Sequence, residues 1–144
     1  MKLLIIGLGS IGKRHLRNAL QIGVEDIALV RRNGANLVGY SKLKVFTSIS
    51  SALNEMNFHA AIVATPTSNH LQDLKELLAG KVPNIYMEKP IAADLLQAQS
   101  YCYQLKNIKV WVGYDLRFDY GLNKCKELLK ANSIGRPISF IAEA

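Results

Sequence analysis

Three features of this 144-residue sequence predict an α/β fold with a doubly wound parallel sheet. Short apolar runs of strand length alternate with segments of helical period, the pattern of a parallel sheet with helices on both faces. The runs are apolar on successive residues, as in strands covered on both sides. Several of them end at once in glycine or proline. The length fits one domain with a core that needs no disulfide or structural metal. Hydrophobic residues make up 49% and charged residues 20%, which is globular rather than disordered.

The elements follow in order. Leu3–Ile6 reads as a buried strand entering a glycine turn, and residues 12–22 as a helix that Gly23 stops. On that helix Ile11, His15, Ala19 and Ile22 share one face, with Leu16 and Leu20 alongside. Ile27–Val30 is a second strand. Asn33 to Lys44 lacks a helical period and reads as loop with room for a short strand. Val45–Thr47 is strand, and Ser50 or Ser51 caps a short helix ending near Met56. Ala60–Ala64 is a third buried strand, broken by Pro66. Thr67 or Ser68 caps the next helix, which turns Leu71, Leu74, Leu77 and Leu78 inward and ends at Gly80. Ile85–Met87 is strand, ended by Pro90. Asp94 caps a helix with Leu95, Ala98, Cys102 and Leu105 in one stripe. Val110–Tyr114 is strand, and Gly121–Ala131 is helix with Leu122, Cys125, Leu128 and Leu129 inward. After a turn at Gly135-Arg136-Pro137, a further strand is expected from Ile138 to Ala144.

Charge and cysteines narrow the function classes. The net charge of +7 is uneven: residues 1–50 carry eight basic and two acidic side chains. A local concentration points to a specific anion rather than to nucleic acid or an anionic membrane. Lys13, Arg14 and Arg17 read equally well as a solvated helix face. No apolar run approaches membrane-spanning length. The apolar start before Gly7 is too short for a signal-peptide core. Cys102 and Cys125 have no metal-type spacing, and the expectation is a cytoplasmic chain with reduced thiols.

Gly7-Leu8-Gly9-Ser10-Ile11-Gly12 is a G-x-G-x-x-G string between a strand and a helix, the context in which it signals dinucleotide binding. Gly7 allows the tight turn, Gly9 lets backbone approach a pyrophosphate, and Gly12 lets helix pack on strand. The backbone N–H groups of Ser10 and Ile11 open the helix toward the phosphates. An NAD site places an acid at the end of the second strand to bind ribose hydroxyls. Here Arg31 and Arg32 stand there. They can pair with a 2′-phosphate, so the expected cofactor is NADP(H) in preference to NAD(H). The alternative is that both arginines point to solvent.

Later motifs sit at the carboxyl ends of strands, where ligands of open α/β sheets gather. These are Ala64-Thr65-Pro66-Thr67-Ser68-Asn69-His70, Glu88-Lys89-Pro90 and Gly113-Tyr114-Asp115-Leu116-Arg117-Phe118. Lys89 is placed to hydrogen-bond a substrate hydroxyl or carbonyl and help move its proton. On spacing alone it reads as a surface lysine.

In this order and spacing the motifs resemble the Gfo/Idh/MocA oxidoreductases, relatives of glucose–fructose oxidoreductase and inositol dehydrogenase, over nearly the whole chain. The resemblance implies an NAD(P)-binding Rossmann domain, residues 1–132, followed by a second α+β domain of which 133–144 is the beginning. It implies hydride transfer between a nicotinamide and a sugar, polyol or related carbonyl or alcohol. It implies homo-oligomers in the full-length protein, and no metal site is expected from the residues. Lys89 matches the family's catalytic lysine, and Pro90 a proline often preceded by a cis bond. Thr65, Pro66, Asn69 and His70 match cofactor-side positions, Glu88 a position near the nicotinamide, and Arg117 a position on the substrate side. Arg31 departs from the family's common ribose-binding acid. Because the second domain supplies most of the substrate pocket, these 144 residues are expected to bind cofactor without turnover. The competing reading is a non-catalytic dinucleotide-sensing module, which would have no need of Lys89.

Overall fold

In a computed structural model, residues 1–33, 40, 42–102, 105 and 108–141 are described. Along the chain run β1 (Lys2–Ile6), α1 (Ser10–Gln21), β2 (Asp26–Val30), β3 (Lys44–Phe46), α2 (Ile49–Glu55), β4 (Ala60–Val63), α3 (Thr67–Ala79), β5 (Asn84–Met87), α4 (Leu95–Cys102) and β6 (Lys109–Val112). A 3-10 turn, Asp115–Phe118, and α5 (Tyr120–Lys130) follow. The strands form one parallel sheet in the order β3-β2-β1-β4-β5-β6. The order reverses direction at β1, and a doubly wound sheet opens its ligand crevice at that switch point.

Period-two geometry divides each buried strand between two faces. Leu3 and Ile5 of β1 join Ile27 and Leu29 of β2 under α1, which contributes Leu16 and Ala19. Leu4, Ile6, Ala28 and Val30 face the other way, with Ile49 and Ala52 of α2 and Leu74 and Leu77 of α3. Leu4, Ile5, Ile6, Leu29, Leu74, Leu77 and Ile85 are fully buried, each worth about 1.5–3 kcal/mol of burial.

Several local expectations are corrected. The buried stripe of α1 is Gly12, Leu16 and Ala19, while Ile22, just beyond the helix, is 79% exposed. Gly12 sets this rotation: a Cβ there would lie 2.0 Å from the Gly7 carbonyl oxygen, so this face must turn inward. Ser48, not Ser50 or Ser51, caps α2, because the chain is already extended at Ser48 and its Oγ accepts from the Ser51 N–H at 3.0 Å. Leu95 of α4 is exposed and Ala98 buried, so that stripe starts one turn later. Asp94 caps α4 as expected, accepting from the Gln97 N–H at 2.8 Å. The side chain of Cys102 and most of the 33–44 loop lie outside the described residues.

The chain divides into two compact units, Met1–Gly113 and Tyr114–Ala144. The first ends just after the last strand of the sheet. In the second, Asp119 Oδ1 caps α5 by accepting from the Leu122 N–H at 2.8 Å. The expected inward stripe of α5 is not formed: no residue of this helix is buried, and Leu122 and Leu129 are exposed. Residues 138–141 carry no strand, with Ile138 99% exposed. A strand requires a partner for its backbone hydrogen bonds, and none pairs with these residues among those described.

Candidate functional site

Each parallel ladder runs one residue past its strand, which aligns the motif residues along one edge. The Gly7 N–H donates to the Val30 carbonyl (3.0 Å), Ala64 N–H to Ile6 (2.8 Å), Glu88 N–H to Val63 (2.9 Å) and Gly113 N–H to Met87 (2.8 Å). The Arg31 N–H donates to the Phe46 carbonyl at 2.8 Å. The glycine turn, the arginines, Thr65 and Glu88-Lys89 therefore all leave the carboxyl edge of one sheet.

At the switch point a cleft of about 550 Å³ opens. Gly7, Leu8, Gly9, Ser10 and Ile11 form its floor, Arg31, Arg32 and Asn33 one wall, and Ala64, Thr65, Pro66 and Asn69 the other. Gly7 adopts φ +87°, and a Cβ there would lie 2.6 Å from the Ala64 carbonyl oxygen, so only glycine makes this turn. Gly9 is different: a Cβ there would meet no protein atom within 4 Å. Gly9 is the N-cap of α1, no side chain caps that helix, and its first turn holds no acid. The open space thus lies against unpaired N–H groups and a positive helix end, a cradle suited to phosphate.

The two walls are joined beneath the cleft by a residue that the motifs do not include. Asp73 of α3 is fully buried. Its Oδ1 accepts from Arg32 Nη2, and its Oδ2 from Thr65 Oγ1 at 2.6 Å. Helical period offered a signal: Asp73 shares the inward face with His70, Leu74 and Leu77. An acid on such a stripe must find a partner.

Gly12, His70, Glu88 and Lys89 are not part of the cleft lining. His70 lies among backbone groups instead. The ring is buried, and each nitrogen faces a backbone carbonyl: Nδ1 lies 2.8 Å from Pro90 O, Nε2 2.9 Å from Thr65 O. His70 therefore ties the exit of β4 to the chain just after Lys89. Glu88 accepts from His15 Nε2 at 2.7 Å, and the His15 ring meets the Tyr86 ring edge-on at 5.3 Å. A Cβ on Gly113 would lie 2.5 Å from Tyr86 Oη, so that glycine lets the cluster close. Lys89 is exposed, and its bond to Pro90 is cis. Arg117 belongs to the second unit, where its guanidinium sits 5.9 Å from the centre of the Tyr114 ring.

Residues 1–115 match the family model described as "Oxidoreductase family, NAD-binding Rossmann fold", that of Gfo/Idh/MocA. The chain belongs to the Gfo/Idh/MocA oxidoreductase family. Its similar relatives include myo-inositol 2-dehydrogenase of Thermotoga maritima, 26% identical over 146 residues, covering 95% of this chain and 43% of the relative. Oxidoreductase P35 of Formosa agariphila is 33% identical over 120 residues, covering 78% and 37%. Among solved structures, scyllo-inositol dehydrogenase of Lactobacillus casei, with bound NAD(H) and scyllo-inositol, superposes with TM-score 0.80 at 24% identity. That alignment covers 94% of this chain and 42% of the other, and shows the shared fold. The chain thus spans about two fifths of the length of these Gfo/Idh/MocA relatives. Residues 1–115 are the NAD-binding Rossmann domain of that family. No helix among the described residues is long and apolar enough to cross a membrane.

Proposed function

We propose that this chain binds a nicotinamide dinucleotide along the switch-point cleft, with NADP(H) preferred over NAD(H), for an oxidoreductase acting on a sugar or polyol. The carrying observation is the floor at Gly9, where open space meets the uncapped N-terminus of α1. The residues present fit the cofactor: backbone N–H groups for the pyrophosphate, and arginines in place of a ribose-binding acid at the end of β2. Thr65, Pro66 and Asn69 supply the opposite wall.

The nicotinamide, when bound, supplies the hydride chemistry. Lys89, exposed at the carboxyl edge of β5, is the residue proposed to hydrogen-bond the substrate oxygen and move its proton. Glu88, held by His15, lines the nicotinamide end in this reading. His70 acts on the backbone rather than on the cofactor. The polyol class is supported by the inositol dehydrogenases among the relatives.

Fluorescence titration with NADPH and NADH tests the binding. The expected result is tighter binding of NADPH, and Arg31→Asp shifts the balance toward NADH. No binding of either at about millimolar concentration defeats the cofactor reading, and NADH tighter by about tenfold defeats the preference. With a second domain joined downstream, Lys89→Met is expected to hold both Kd values within about twofold while polyol dehydrogenation falls by about 100-fold or more.

A further inference from the structure

We infer that Asp73 is a specificity-determining positioning residue, whose buried carboxylate aims Arg32 at the cleft and cancels its charge, restraining selection of the 2′-phosphate. The inference rests on the dinucleotide reading above but not on which dinucleotide the chain prefers.

The geometry is a clamp. Arg32 leaves the end of β2 and Thr65 the end of β4, on opposite sides of the glycine turn that follows β1. Asp73 reaches both from α3, one carboxylate oxygen to each. Its side chain is 0% exposed, whereas that of Arg32 is 43% exposed. A buried carboxylate requires a hydrogen-bonded counter-charge, so Asp73 holds Arg32 more firmly than a surface acid would. The guanidinium has five N–H donors in a rigid fork, and engaging Nη2 orients the rest. Arg32 therefore presents directed donors to the cleft but little net charge.

That arrangement treats the two dinucleotides differently. A ribose hydroxyl needs directed hydrogen bonds, which a neutral ion pair still supplies. A 2′-phosphate is drawn chiefly by uncompensated positive charge, and the Asp73 carboxylate opposes it. Removing the carboxylate charge while keeping its shape should leave NADH binding in place and strengthen NADPH binding. Asparagine does this: its Oδ1 can accept from Arg32 and its Nδ2 can donate to Thr65 Oγ1.

The test is the ratio of Kd values for NADH and NADPH, measured by fluorescence titration on the 144-residue chain. Asp73→Asn is expected to move the ratio toward NADPH by about tenfold, the order expected of one nearby charge in a half-buried site. Asp73→Ser, which also lacks the charge and leaves space for water, should move it the same way, so the test does not depend on one variant folding. Asp73→Glu keeps the charge and should stay near wild type. A purely structural role would weaken both dinucleotides together and leave the ratio unmoved. A ratio within about twofold of wild type in the folded neutral variants, or a shift toward NADH, overturns the inference. Wild type preferring NADH, with the neutral variants still shifted toward NADPH, overturns the proposed cofactor preference and supports the role of Asp73. Wild type binding neither dinucleotide overturns both.

Discussion

Gly9 and Gly12, three residues apart in one motif, serve separate physical demands. A methyl group on Gly12 collides with the Gly7 carbonyl, whereas one on Gly9 projects into open space. Gly12→Ala should therefore destabilise the fold by about 2 kcal/mol or more through overpacking. Gly9→Ala should cost less than about 1 kcal/mol of stability and show its effect in dinucleotide affinity. Urea denaturation and cofactor titration of the two variants separate these outcomes; equal stability losses would sink the distinction. His70 shows a second demand, on the backbone. A histidine near a ligand edge reads as a contact, yet this ring is buried with its nitrogens against the Pro90 and Thr65 carbonyls, and the nitrogen that carries the proton donates to one of them. His70→Ala should lower unfolding free energy by about 2–4 kcal/mol from the lost ring hydrogen bond and the cavity. A stability change below about 0.5 kcal/mol would contradict the strut.

Helices α3 and α5 carry similar apolar spacing but differ in burial. In α3 leucines lie three and four residues apart, and in α5 Cys125 stands three residues after Leu122 and three and four before Leu128 and Leu129. Leu74 of α3 is fully buried against the sheet, whereas Leu129 of α5 is 40% exposed. Leu74→Ala should cost about 2–5 kcal/mol and Leu129→Ala under about 1 kcal/mol, measured as shifts of the denaturation midpoint at constant slope. Comparable losses would mean that α5 is packed in solution. Helix starts are a smaller matter of the same kind. The serines at 48, 50 and 51 are chemically equal as caps, and only the extended backbone at Ser48 selects one. Ser48→Ala should cost about 1 kcal/mol, and Ser50→Ala much less.

At the scale of the whole molecule, the uneven charge has a measurable consequence. The basic excess lies almost wholly in residues 1–50, which also contain the glycine turn and the two cleft arginines. A dinucleotide bound there should weaken as salt rises, and NADPH more steeply than NADH because it carries the extra phosphate. Titrations between about 50 and 500 mM salt check this, over which the screening length falls more than twofold. Parallel salt slopes for the two cofactors would argue against a 2′-phosphate site in the cleft.

Much of the fold was legible in the sequence. Continuous apolar runs such as Leu3–Ile6 and Ile27–Val30 have one stable use, as strands covered on both faces, and their alternation with helices dictates parallel pairing. The glycine turn was legible too, because its spacing and place between strand and helix are local properties of the chain. Apolar period alone grouped Ile11, His15, Ala19 and Ile22 on one face of α1, whereas the face that turns inward is the one carrying the motif's Gly12, which meets the Gly7 carbonyl. Local pattern could not assign His70 a structural role or join Asp73 to Arg32 and Thr65, partners 41 and 8 residues away. Period and propensity act over a few residues and fix the elements. The partners of a buried polar group come from distant strands, so only the packed sheet decides which charges meet beneath the cleft.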